Sequence, residues 1–267
     1  MKKWGKWKTY GKRVAAFVLT SAMVVIGMNL SPVPVYAAPE DYENGFCKNS
    51  SIGTGGTLVH TDCAVEGCCG YEPAKLTTDT YDINGDGTKD SVYEISNAGQ
   101  LYWFANKVNT ENSTYGSANA VLTANIKVND SVLTSEGKLN EGSANTFRQW
   151  TPIGNWSNNY EGTFDGNNCT VSGLYFNNNS INYVGLFGYI SGANIKQVGI
   201  IDSYFNGKDY VGGVCGRNAR GTISGCYNTG AVSGSDYVGG VSGNGSVTNS
   251  YNTGAVTGNS NVGGVCG

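Results

Sequence analysis

Tyr183-Val184-Gly185-Leu186-Phe187-Gly188 returns as Tyr210-Val211-Gly212-Gly213-Val214-Cys215-Gly216, then as Tyr237-Val238-Gly239-Gly240-Val241-Ser242-Gly243, and a fourth time as Val262-Gly263-Gly264-Val265-Cys266-Gly267. Successive Val-Gly steps start 27, 27 and 24 residues apart. A second block keeps phase with the first: Tyr227-Asn228-Thr229-Gly230-Ala231-Val232-Ser233-Gly234 and Tyr251-Asn252-Thr253-Gly254-Ala255-Val256-Thr257-Gly258. Between the blocks lies a short apolar step at Ile195, Ile223 and Val247. Each copy offers three short apolar stretches separated by Gly, Asn and Ser turns. Such a stretch cannot bury its apolar side alone, whereas stacked copies bury it against each other. The expected fold is therefore all-β: a right-handed parallel β-helix with three short strands per coil, copies pairing about 4.8 Å apart. The repeat is too short for a propeller blade and lacks Leu-x-x-Leu spacing, which excludes a leucine-rich repeat.

Composition agrees. The chain has 267 residues, 40 of them glycine and 17 tyrosine, with 14% charged. Glycine at this level argues against helix bundles, and the sparse charge argues against extended disorder. Residues 1–37 carry six basic residues and no acidic one, then an apolar run from Val14 to Leu30 and a small-x-Ala pattern at Val35-Tyr36-Ala37. This pattern reads as a secretory signal peptide cleaved after Ala37, with no stable membrane span remaining. Beyond residue 37 there are eleven basic and twenty acidic residues, a net charge of −9. Scattered cations on so acidic a chain give phosphate backbones little to hold, which speaks against nucleic acid as a partner.

The eight cysteines all follow residue 37, and four crowd into 47–69 near the single histidine, His60. Export and an even count favour disulfides or free thiols over zinc, since no C-x-x-C pair is present. In the stacked repeats Cys215 and Cys266 fall two coils apart with Ser242 between, too far for a bond. Cys226 falls over Ser250. These read as small core or turn residues.

The organisation expected is a signal peptide (1–37), a Cys-rich leader (38–75), a hairpin and capping helix (76–119) and the coil (120–267), with the clearest repeats at 184–267. The helix is read from Leu101, Phe104, Ala105 and Val108 at i, i+3, i+4, i+7, with Ser96 or Asn97 as its cap. Ala120–Val128 reads as a long strand or a strand pair. The chain stops at Gly267 in mid-repeat with no capping segment, so the reading is a stretch of a larger surface protein.

Val184–Gly188 and Val211–Gly216, each followed by an Ile step and Tyr-Asn-Thr-Gly-type residues, resemble the GLUG-motif repeat family. Trp150–Gly154 and Tyr160–Leu174 look like the segment that usually precedes those repeats, so the resemblance covers about 145–267. The stretch 93–108 resembles the leader of exported proteins from gut-dwelling Gram-positive bacteria. The resemblance implies a secreted or wall-associated β-helical protein, often a non-catalytic part of adhesins or of IgA-cleaving zinc peptidases, and implies no activity of its own.

A zinc peptidase needs a histidine pair, and triad mechanisms need a histidine base; the one histidine, His60, lies in the leader. Glycoside cleavage needs two carboxylates flanking the bond. Asp209 and Asp236 precede successive repeat tyrosines and should stack about 5 Å apart, but an Asp before each strand is ordinary turn chemistry, and Ser260 fills the next slot. Arg217 and Arg220, read as lying in the following loop, suit an acidic sugar or a solvated loop. No catalytic constellation emerges, so the chain is read as a non-enzyme.

The candidate calcium ligands are Asp82, Asn84, Asp86, Thr88 and Asp90, at positions 1, 3, 5, 7 and 9 of an oxygen-ligand loop with Gly87 at the sharp turn. Position twelve is Tyr93, and the flanks alternate like strands, so the loop reads as a structural calcium hairpin rather than an EF-hand. Without metal, the same residues make an Asn-Gly/Asp-Gly turn. The candidate ligand face is the column Tyr183, Tyr210 and Tyr237, with Tyr175, Tyr227 and Tyr251 as further exposed rings. Such rings stack on sugars or only on neighbouring coils. The leading reading is an adhesin-like scaffold for host or environmental glycan or protein, secreted or cell-wall associated. The alternatives are a polysaccharide-active β-helix enzyme and the spacer of a multidomain peptidase.

Overall fold

The computed structural model describes residues 42–44, 46–47, 50–52, 58–60 and 71–267. The signal-peptide reading and most of the Cys-rich leader, including Cys63, Cys68, Cys69 and the side chains of Cys47 and His60, lie outside the described residues. The described part is mostly β, with parallel strands in stacked sheets.

Each repeat makes one coil, and each coil places its strands directly on those of the copy before. One coil runs through Phe187–Ser191, Asn194–Lys196, Gly199–Ile201, Tyr204–Asn206 and Asp209–Gly212. The next runs through Cys215–Ala219, Thr222–Ser224, Tyr227–Asn228, Ala231–Ser233 and Asp236–Gly239, and the last through Ser242–Asn244, Val247–Thr248, Tyr251–Asn252, Val256–Thr257 and Ser260–Gly263. All five stations pair in parallel between coils, with Phe187 opposite Cys215, Ile195 opposite Ile223 and Val211 opposite Val238. The expectation of three strands per coil is corrected to five.

The reason is a five-residue beat hidden inside the longer repeat. Ile190, Ile195, Ile200 and Phe205 are each fully buried, and Gly192, Gln197 and Asp202 between them take φ of +75°, +53° and +44°. About three extended residues thus put one apolar side chain inside, and a left-handed corner turns the chain to the next side. Gln197 has no left-handed preference to mark it as a corner, and Asp202 has only the modest one of its type.

The core is graded. Towards the N-terminal coils it is aromatic: Tyr160 stacks on Phe187 at 5.4 Å and Phe164 meets it edge-on at 5.1 Å. Further along, the station of Phe187 is taken by Cys215, then Ser242, then Cys266. Ala98–Thr110 forms the expected helix; Asn97 caps it, its Oδ1 accepting from the Gln100 amide at 2.9 Å. Its Phe104 packs on Tyr160 and Phe164 at ring separations of 5.9 and 6.4 Å, so the helix shares the coil's core. Ala120–Val128 resolves into two strands in different sheets, Asn119–Leu122 and Ile126–Lys127. Before the helix, Lys75–Tyr81 and Asp90–Ile95 pair antiparallel, and Asp90–Ile95 continues in parallel onto Asn119–Leu122. Among the described residues, no helix is long and apolar enough to cross a membrane.

Candidate functional site

The most distinctive surface lies where two outward columns meet. The first is Tyr183, Tyr210, Tyr237 and Asn261, one position before the stacked Val184, Val211, Val238 and Val262. All four sit at left-handed φ, +64°, +59°, +54° and +49°. A bulky side chain there costs about 1–2 kcal/mol, so three in register are a strained row that the surrounding ladder holds. The rings lie flat on one another: Tyr183–Tyr210 at 5.3 Å and 22°, Tyr210–Tyr237 at 4.7 Å and 3°. Stacked this closely, they cover each other's faces and present mainly edges and hydroxyls.

Sequence reasoning missed the end of the row. Trp156, from the loop before Tyr160, stacks on Tyr183 at 6.1 Å and 16° and remains 62% exposed. Tyr189 meets both rings edge-on, at 5.4 Å from Trp156 and 5.5 Å from Tyr183. Tyr189 begins the second column, Tyr189–Arg217–Asn244. Arg217 thus lies in the strand Cys215–Ala219 and not in a loop, whereas Arg220 is a corner residue at φ +66°. The Arg217 guanidinium carbon lies 5.1 Å from the Tyr210 ring, 5.6 Å from Tyr189 and 5.9 Å from Trp156. No periodicity announces Trp156, because its loop precedes the repeats.

The other tyrosines divide. Tyr227 and Tyr251 stack at 5.1 Å and 2°. Tyr175, expected exposed, is buried: Phe147 packs on it at 5.3 Å and Tyr204 stacks on it at 6.2 Å. In that column Ala231 and Ala255 follow Tyr204, leaving a groove of about 540 Å³ beneath Thr134–Glu141.

Asp209 and Asp236 are register partners, as expected, with Ser260 next. Their surroundings are turn chemistry: Asp236 Oδ1 accepts from the Tyr237 amide and from Asn261 Nδ2, and Asp209 lies 3.8 Å from Lys208 Nζ.

The loop 82–90 closes on itself. Asp82 accepts from the amides of Gly85, Asp86 and Gly87 at 2.8–3.1 Å. Asp86 accepts from the Thr88 amide and hydroxyl, which hold its carboxyl below the usual carboxylate range. Asp90 accepts from the Ile83 amide at 3.0 Å, and Asn84 turns its Nδ2 toward Asp86. The oxygens suit a hard cation, but Asn84 would have to turn its carbonyl inward to join them. Among the described residues, no three His, Cys, Asp or Glu side chains gather as a metal-ligand set.

No protein-family model and no solved structure matches the chain. Among curated proteins it is similar to halomucin of Haloquadratum walsbyi, 32% identical over 203 residues. That match takes in 74% of this chain, but the chain spans only about 2% of the relative's length.

Proposed function

We propose that this chain is a non-catalytic repeat module of a secreted or cell-surface protein, adhesin-like, whose aromatic face binds glycan or protein. The observation that carries the reading is the outward row Trp156–Tyr183–Tyr210–Tyr237, an exposed indole leading half-buried tyrosines whose backbone is strained. The resemblance to GLUG-motif repeats and the mucin name of the relative support a surface or secreted setting. In this reading the coil winds right-handed, as parallel crossovers do, and the helix Ala98–Thr110 caps its N-terminal end. The test is retention of the full chain on a panel of immobilised glycans and extracellular proteins. A Y183N/Y210N/Y237N variant should keep the fold, because Asn261 already occupies this station, and should lose retention. A wild type retained by nothing on the panel sinks the reading.

For the loop, we propose that Asp82, Asn84, Asp86, Thr88 and Asp90 hold a structural calcium ion. Five oxygen-bearing side chains within one short hairpin turn support it. Calcium at millimolar concentration should raise the melting temperature of the wild type and leave a D82A/D86A variant unmoved. Equal curves for the wild type with calcium and with chelator would refute the ion.

A further inference from the structure

We propose that Arg217 and Trp156 form a subsite for a carboxylate-bearing saccharide. The inference rests on the ligand-face reading above and gives that face its ligand class.

Among the described residues, Arg217 is a cation outside the ion pairs. Three aromatic rings surround its guanidinium. Each ring attracts the cation through the negative potential of its face. Together they restrict a side chain that is otherwise rich in rotamers. The group is thereby pre-organised, while its five N–H donors face no fixed acid. A planar fork held in this way matches a carboxylate, which accepts two parallel hydrogen bonds.

Trp156 supplies the complementary half. Its indole is 62% exposed, parallel to Tyr183 on one side and 5.9 Å from Arg217. A flat apolar ring beside a fixed cation suits a ligand with an apolar C–H face and an anionic edge, as in a uronic acid. An acidic peptide satisfies the cation but leaves the indole without a flat partner. The overall acidity beyond residue 37 does not forbid such a ligand, because charges farther than about 8 Å are screened at physiological salt. Of the repeat acids, Asp209 lies 3.8 Å from Lys208 Nζ.

The experiment is calorimetric titration of the full chain at physiological salt with a uronic-acid oligosaccharide, and with the same oligosaccharide after reduction of its carboxylates to alcohols. The uronate should bind at least tenfold tighter. R217Q should bring the uronate down to the level of the reduced sugar and leave the reduced sugar unchanged. R217K, which keeps the charge and loses the fork, should fall between. W156A should weaken both sugars. The Asn244 that follows Arg217 in its column shows that an amide fits this station, and a thermal melt of R217Q verifies the fold. Equal binding of the two sugars overturns the carboxylate subsite and leaves the ligand face standing. Binding of neither sugar, or binding of a poly-glutamate peptide in their place, overturns it too. Only a wild type that also fails on the wider panel brings down the face as well.

Discussion

Cys226 shows what a single buried side chain does in a coil this narrow. Burial pushes its thiol up to about 11 from an ordinary value near 9, and burial raises Cys215 further still. At pH 8, only about one Cys226 in a thousand is then thiolate, and the thiolate is the reactive form. Iodoacetamide on the native protein should therefore modify the partly exposed Cys169 while sparing Cys215 and Cys226, which should react only after unfolding. Rapid native labelling of Cys215 or Cys226, mapped by mass spectrometry, would contradict the packing. The same shift sets a pH dependence. An unfolded thiol releases its proton near pH 9 while the folded one keeps it to about 11. Stability from this group is thus full below about pH 9 and declines as pH rises to about 11. Chemical denaturation of the wild type should show the decline over that window, and C226A should lessen it, leaving the part that the more deeply buried Cys215 contributes.

The strand Tyr227–Asn228 opens the second sequence block of its repeat. Tyr227 points out, while Asn228 points in and is fully buried, directly below Ile200 in the column. Its amide donates to the Gly230 carbonyl and to Asn252 Oδ1, both at 2.9 Å, and its Oδ1 accepts from the Gly230 amide. The Thr-Gly turn is therefore closed from inside by an Asn ladder. That ladder needs Gly213, where a Cβ would stand 2.5 Å from Asn228 Cγ and 2.7 Å from the Gly240 carbonyl oxygen. N228A should cost about 1–3 kcal/mol by leaving the Gly230 groups unpaired. G213A should cost a similar amount through overpacking, about 1–3 kcal/mol. Urea melts measure both, and a neutral result for either would refute the coupling. The stacking of strands on their copies was legible, since Val-Gly steps and Ile columns carry it in their spacing. The five sides were not, because the corners at Gln197 and Asp202 look like ordinary polar residues. Trp156 and the strand placement of Arg217 were hidden for a related reason: the face joins a repeat column to a loop outside the repeats.

The molecule is a stack in which each coil is stabilised mainly by its neighbours. Removing residues 213–239 joins Gly212 to Gly240 and deletes one whole coil, since Gly212 and Gly239 are register partners. That variant should fold with the same strand content and lower stability. Removing one residue more or fewer should not give a cooperative melt, because the frame of every later side chain is shifted. Circular dichroism and thermal melts of the three deletions decide it, and equal melts would show that register is not what holds the stack. The Gly213–Asn228 pair carries a further consequence for how such a chain can change by descent. In the preceding coil Ile200 takes the Asn228 station, and a stretch one residue shorter brings Leu186 where Gly213 and Val214 stand, an apolar solution. A crossover at the end of a repeat hands on either solution intact. One falling between the two stations would seat Leu beside Asn, so recombination in this lineage has whole coils as its currency.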